Sequence, residues 1–414
     1  MNNYAVVFSG ALTLGASCFL AFPRLLGLFT GYIDEREFFT NQNTKTIKLL
    51  RAIVNASYAT KSYLYRTLNP EYHESQIPTI SKIIIYPIKS CGPGVQVKEW
   101  QVDEHGLKHD RQYALAQLNE EAGLYTIVSQ KFVSTRLTLL KCAYFPEQNC
   151  FEYKYPLKKE NEMDSFRIPA EITEEFIAEN INLSEPLQMS IWTNGIQCYD
   201  VSHCIPSKFF EEMDLPSGTR LVLSLKGKEF KDTSPPKSTF YQDPSTNHGK
   251  EYRRTHFQDY FPIHIVTEED MSDLNFRIKK KGFNLNREII DTAFRPNLLL
   301  SGTARPYDVD TWNRFDIEDH TTSEKHSFTR NSKCMRCLIP DINPVTGVSD
   351  KEFPVSKTLM SYRRVDSGAA KLACFGNYCV QDVSNFQIHV GDRIHILSRK
   401  ITVTKWSGGG LVHH

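Results

Sequence analysis

The chain has 414 residues, 40% of them apolar and 23% charged, enough for two or three domains with well-filled cores. Lys and Arg number 49 against 48 Asp and Glu, a formal charge of +1, which excludes the basic surplus of a general nucleic-acid binder and the acidity of a disordered tail protein. Ten cysteines over this length are too sparse for a disulfide scaffold and fit a reducing compartment.

In chain order, the first element is an uncharged run of 19 residues from Tyr4 to Phe22. It approaches the ~20 residues of a membrane-spanning helix. The leader Met1-Asn2-Asn3 lacks the basic start of a cleaved signal peptide. Basic residues follow the run instead: Lys45, Lys48, Arg51, Lys61 and Arg66 lie between Phe38 and Pro70, with no acid among them. The segment 1–37 therefore reads as a retained anchor with the bulk of the chain on the cytosolic side. Ile47, Leu50, Val54, Tyr58, Leu64, Tyr65 and Leu68 recur near helical spacing, so 38–77 reads as a basic amphipathic helix and linker. Such a helix lies on a membrane surface or packs on the body.

After Pro70 the chain becomes β-rich. Short apolar runs (IPTISKIIIYPIKS, VQVKEWQVD, RQYALAQL, YTIVSQ, LTLLKCAYF) are separated by turn signals, the spacing of a barrel or sandwich rather than of βαβ units. Helices are predicted at 207–215 and 268–282, the second ending in a basic cluster and Gly282. Polar stretches at 226–255 and 318–333 read as loops. IHVGDRIHIL reads as strand, Gly391-Asp392 turn and strand, before a Gly-rich tail over 399–414.

Five patterns carry chemistry. Lys89-Ser90 in YPIKSCGPG, at a strand end before a Gly/Pro turn, suits an anion or simply a solvated strand end. Asp110-Arg111 enters a strand in GLKHDRQYAL, as a local ion pair would. Arg295 in AFRPNLLLSG runs straight into Leu298–Leu300. A guanidinium at a core edge demands a fixed acid or a bound anion. In KCMRCLIPDINPVTG, Lys333 and Arg336 favour a thiolate nearby, a soft metal ligand. The pattern by itself leaves open a buried structural cysteine, a redox C-x-x-C and half of a zinc site. In CFGNYCVQD, Tyr378 follows a Gly-Asn turn into a strand.

Taken together and in this order, the patterns resemble the MOSC proteins, and most closely their mitochondrial amidoxime-reducing branch. YPIKS, GLxxDR, FRPNxxxSG, CxRC with a following NPxTG, FGxY and the VGDxI strand all fall in family order between about 78 and 398. The resemblance implies a mainly β fold with some α (α+β), in which a smaller β-rich MOSC N-terminal region (78–215) precedes a MOSC β-barrel (240–398), behind an N-terminal transmembrane helix. It implies a molybdenum–molybdopterin cofactor whose metal takes one protein thiolate, and by motif position that is Cys337, the catalytic residue, with Cys334 a neighbour. Lys89, Ser90, Arg111 and Arg295 match positions that grip the pterin and its phosphate. Arg336, Tyr378 and Asp259 match further cofactor positions. The implied reaction is reduction of N-hydroxylated compounds such as amidoximes. Its electrons come from NADH through a flavin reductase and a b5-type cytochrome. The implied location is the mitochondrial outer membrane or the endoplasmic reticulum, with the body facing the cytosol. A non-catalytic carrier of the cofactor, or of sulfur on Cys337, is the alternative. The chain departs from the family pattern at Tyr260-Phe261, where small hydroxyl residues are usual, and in the length of 226–255.

Overall fold

The computed structural model describes residues 77–399, apart from 131–132, 160–161, 192–193, 231–252, 284, 286, 367–368 and 370. The expected anchor over 1–37, the basic helix and linker up to residue 76 and the tail beyond Arg399 lie outside these residues. Among the described residues no helix is long and apolar enough to cross a membrane.

Apolar runs too continuous for a half-exposed strand build the larger sheet. Ile263–Thr267 and Leu298–Ser301 are buried along almost their whole length and pair in parallel, joined through the helix Glu268–Lys280. Their side chains alternate between two cores. Ile263, Ile265, Leu298 and Leu300 face Trp312, Phe315 and Phe328. Val266 and Leu299 face Met271, Leu274 and Ile278 of the helix, and Val355 and Leu359 of the helix Pro354–Tyr362. Burial on both faces is the reason the sequence shows no polar alternation there.

The sheet closes into a seven-stranded barrel. From Leu298–Ser301 and Ile263–Thr267 it continues through Cys374–Gln381, Lys325–Met335, Trp312–Glu318 and Arg393–Arg399. Thr79–Ile85 then seals it, pairing with Leu298–Ser301 on one side and with Arg393 on the other. The barrel thus draws a stave from the very start of the β-rich body. The boundaries expected at 78–215 and 240–398 do not separate the two sheets in space. Trp312 and Phe315 pack at 5.4 Å between ring centres, as do Phe315 and Phe328.

A second, five-stranded ring is built from Tyr113–Asn119, Leu124–Ile127, Leu187–Ile191, Asn194–Asp200 and Arg220–Leu223, the last pairing back on the first. Here period-two alternation is clear. Ala114, Ala116 and Val222 belong to one core, Tyr113, Leu115, Leu221 and Leu223 to the other. That second core is shared with the three-stranded sheet Lys141–Phe145, Cys150–Pro156 and Met163–Pro169.

Several local expectations are corrected. The segment 318–333 is a loop only around 319–324; Lys325–Met335 is an eleven-residue stave. Its polar character hid it, because Arg330, Asn331, Ser332 and Lys333 are all buried. Gly376 is not a turn but a positive-φ kink (φ 78°) inside the continuous strand Cys374–Gln381. Gly391-Asp392 is a corner rather than a hairpin: Phe386–His389 pairs with Glu99–Asp103, while Arg393–Arg399 enters the barrel. The helix predicted at 207–215 spans Ser207–Glu212. The helix expected at 268–282 ends at Lys280, with Thr267 capping its start and Gly282 (φ 73°) just past its end. The ends of 226–255 pair as the strands Lys228–Phe230 and Arg253–Thr255.

Candidate functional site

The chain leaves the larger barrel at Ile85 and joins the smaller sheet at Ile88, where Ile88–Lys89 runs parallel to Tyr113–Asn119. Tyr86, Lys89 and Ser90 therefore stand at the seam of the two sheets. Arg111 reaches the same seam from the turn before Tyr113–Asn119, its N–H donating to the Tyr86 carbonyl at 2.7 Å. Arg295 arrives from the short turn before Leu298–Ser301. Three of these residues hold left-handed backbone: Ser90 (φ 62°), Arg111 (φ 50°) and Arg295 (φ 56°). Such positions cost about 1–3 kcal/mol each and cluster at functional sites.

Two guanidiniums flank one ring. Arg111 lies 4.7 Å and Arg295 4.3 Å from the centre of the buried Tyr86 ring. Arg111 is compensated: it donates to Asp110 at 2.5 Å, to Asn297 Oδ1 at 3.2 Å and to the Arg295 carbonyl at 3.1 Å. Arg295 is not. Its Nη1 donates to the carbonyl of Gly92, and its Nη2 is buried with no hydrogen-bond partner. Burial, and then Arg111, pull the Arg295 guanidinium below its ordinary pKa. Arg336 shows the same deficit. It donates to Cys334 Sγ at 3.0 Å and to the Phe294 carbonyl at 3.3 Å, while its Nε is buried and unpaired. Among the described residues neither Arg295 nor Arg336 has a carboxylate partner. A buried cation in that state requires an anion from elsewhere.

Lys89 is buried and donates to Asp259 at 2.6 Å, on a carboxylate that is partly open to solvent. Burial lowers the Lys89 pKa, and the Asp259 charge opposes that. Tyr378 pairs with His264 on the neighbouring strand, their rings 5.3 Å apart. Tyr260 and Phe261 each stand 6.2 Å from the Tyr378 ring. Their bulk is thus spent packing around that tyrosine. Burial raises the Tyr378 phenol pKa well above its ordinary value. Burial, then Arg336, push His264 down to about 3, so it is neutral at physiological pH.

The two cysteines of the C-x-x-C separate. Cys334 is buried at the strand end, and burial raises its thiol pKa against the pull of Arg336. Cys337 is exposed just beyond the strand, close enough to Arg336 to be felt by it. Lys333 is buried within the field of Asp310 and Cys374. The structure therefore brings Lys89, Arg111, Asp259, Arg295, Arg336 and Tyr378 into one seam, with Ser90 adjoining Lys89 and Cys337 at its open edge. Sequence reasoning missed Tyr86, Asn297 and His264. Asn297 Oδ1 accepts from both Arg111 and the His264 N–H, at 3.2 and 3.0 Å, and so ties the two sheets together. Tyr86 and Asn297 lie inside YPIKS and FRPN, but nothing in either pattern marks a ring or an amide as a hub.

The family model described as MOSC domain matches residues 252–395, and the MOSC N-terminal beta barrel domain matches 77–192. Mitochondrial amidoxime reducing component 2 of Homo sapiens is 26% identical over 77% of this chain and 84% of its own length. Mitochondrial amidoxime-reducing component 1 of Mus musculus is 28% identical over 78% and 84%. The molybdenum cofactor sulfurase of Arabidopsis thaliana is 26% identical over 76% of this chain but only 35% of its own length. These names point to association with a molybdenum cofactor.

Proposed function

The chain is a MOSC-domain protein similar to the amidoxime-reducing components, and on that premise we propose that it is a molybdenum cofactor-dependent reductase of N-hydroxylated compounds, amidoximes among them. The observation that carries the reading is that Arg295 and Arg336, at one seam, each leave a guanidinium nitrogen (Nη2 and Nε) sealed from solvent and unpaired, with no carboxylate partner among the described residues. They fit a phosphate-bearing, anionic cofactor and leave an energetic deficit without one. When bound, such a cofactor would supply two electrons to the N–OH group; with two protons, one to the leaving hydroxyl and one to the nitrogen, the products are water and the amidine or amine.

The protein's part is binding and orientation. Arg295, Arg111, Lys89 and Ser90 hold the phosphate and pterin at the seam, and Arg336 neutralises charge beside them. The neutral imidazole of His264 backs the Tyr378 ring, and the Tyr378 hydroxyl keeps its proton as a donor. Asp259 orients the Lys89 ammonium. Cys337, exposed at the edge of the seam, supplies the thiolate for the metal. Electrons reach the site from NADH by way of a flavin reductase and a b5-type cytochrome. The body faces the cytosol from a mitochondrial outer-membrane anchor formed by the segment 1–37. The openness of Cys337 also suits a second reading, a carrier of the cofactor or of sulfur without turnover, which the likeness to a sulfurase accompanies.

The test is reduction of an aryl amidoxime by the full chain, with a chemically reduced dye as donor. Turnover is expected in wild type and in Cys334→Ala, and none in Cys337→Ala despite retained pterin. Activity that survives Cys337→Ala and fails in Cys334→Ala would reverse the ligand assignment. Pterin without turnover in wild type would favour the carrier.

A further inference from the structure

Away from the seam, four metal-binding side chains meet where two loops of the barrel touch. Asp319 and His320 open the turn after the strand Trp312–Glu318. His389 and Asp392 flank the Gly391 corner before Arg393–Arg399. Each offers one ligand atom, and the four atoms lie within 4.8 Å of one another. His320 Nδ1 stands 2.8 Å from Asp392 Oδ1. His389 Nδ1 stands 3.3 Å from Asp319 Oδ2 and 3.7 Å from Asp392 Oδ2.

Two features separate this cluster from an ordinary polar turn. First, His389 Nδ1 is buried and makes no hydrogen bond, although two carboxylates face it. Second, the carboxylates are already held from behind. Asp319 Oδ1 accepts from Thr321 N, Thr321 Oγ1 and Thr322 N at 2.7, 2.6 and 3.0 Å, which leaves Oδ2 turned to His389. Asp392 accepts from the backbone N–H of His320 at 3.0 Å and of His389 at 2.7 Å. The other ring nitrogen of His389 faces Glu99 at 3.7 Å. Outer partners of this kind fix ligand orientation in metal sites.

We propose that Asp319, His320, His389 and Asp392 form a binding site for a divalent transition metal of the zinc class, which fastens the 319–324 turn to the 390–392 corner. Two carboxylates and two neutral imidazoles balance a dication without residual charge. Nitrogen and oxygen ligands at about 2.0–2.2 Å in a tetrahedron stand roughly 3.3–3.6 Å apart, so the cluster needs only a small contraction. The half-exposed His320 ring, whose Nδ1 is hydrogen-bonded to Asp392 Oδ1 at 2.8 Å, exchanges that bond for the metal as it adjusts. Four protein ligands leave no open position, which makes the site structural rather than catalytic.

The experiment titrates Zn²⁺ into chelator-stripped full chain by calorimetry, and Co²⁺ by visible absorption. Both use a His413→Ala/His414→Ala background, because that terminal pair would bind metal by itself. One equivalent is expected, with intense tetrahedral Co²⁺ bands and a metal-dependent rise in unfolding temperature. His320→Ala and His389→Ala should each weaken Zn²⁺ binding by more than the roughly 10–100-fold that loss of an outer partner costs. The double variant should show neither the equivalent nor the thermal shift, while matching the metal-free wild type in unfolding temperature. If His389→Ala fails to fold, His320→Ala and His320→Gln decide the matter, because that ring is the exposed one. No saturable Zn²⁺ binding in the background chain, or binding unchanged in the folded His320 variants, would overturn the proposal and leave a hydrogen-bonded turn.

Discussion

Replacing Arg295 with Met separates the demands of the fold from those of a bound anion. The left-handed backbone at φ 56° burdens Met as it does Arg, so that strain cancels. The variant loses the hydrogen bond to the Gly92 carbonyl, worth about 1.5–3 kcal/mol to a charged donor, and the contact over Tyr86, worth about 0.5–2 kcal/mol. Against this it removes a partly buried cation whose Nη2 is sealed from solvent and unpaired, which has no carboxylate partner among the described residues and is repelled by Arg111. The effective penalty of such a charge is itself several kcal/mol. The opposing effects are comparable, so urea unfolding of the cofactor-free chain should change by no more than about 1 kcal/mol, well short of the ~2–5 kcal/mol of a large buried truncation. Pterin retention should behave differently. Loss of charged donors to a phosphate, about 3 kcal/mol, lowers affinity roughly 100-fold. A variant that loses over 3 kcal/mol of stability yet retains its pterin would refute the reasoning, because Arg295 would then be a structural cation.

Gly376→Ala should destabilise the chain by about 2–4 kcal/mol in urea unfolding, from left-handed backbone plus overpacking. Its Cβ would overlap His264 Nε2 and lie 2.8 Å from the Ile265 carbonyl oxygen. A loss below about 0.5 kcal/mol would show that the strand kink is unneeded. Stability should also fall on acidification. Burial holds His264 near 3 against 6.5 when unfolded, so below pH 6.5 the unfolded chain takes up a proton that the fold refuses, until the pH nears 3. Between pH 7 and pH 5 this costs on the order of 2 kcal/mol, and His256, also neutral by burial, acts in the same direction. His264→Gln should flatten that part of the profile; an unchanged slope would contradict it.

Of the cationic residues, Arg295 was legible because it breaks a local rule, while Lys89, Arg111 and Arg336 stood out only through the ordered set of motifs. Arg295 stands between Phe294 and a buried leucine run, and a charge there announces an unmet requirement. Thr79–Ile85 and Leu298–Ser301 were legible for the opposite reason, the first inside a β-rich run between turn signals and the second as an apolar run. Lys325–Met335 was not, since a stave that buries Arg330 and Lys333 has the composition of a loop. The closure of the barrel by Thr79–Ile85 was hidden too, because its partner Leu298–Ser301 lies over 200 residues away and strand pattern carries no pairing information. The same distance concealed Asn297 as a hub. The antiparallel pairing of Trp312–Glu318 with Arg393–Arg399 likewise creates a meeting the sequence does not show, that of Asp319-His320 with His389 and Asp392.

The most direct test of the account is the molybdenum and pterin content of the full chain, purified from a host that makes the molybdenum cofactor. Metal is measured by mass spectrometry and oxidised pterin by fluorescence, for wild type, Arg295→Met and Cys337→Ala. The expected result is near-equal molybdenum and pterin in wild type, little of either in Arg295→Met, and retained pterin in Cys337→Ala. Wild-type protein carrying neither molybdenum nor pterin would contradict the account, and Arg295 and Arg336 would then answer to some other anion.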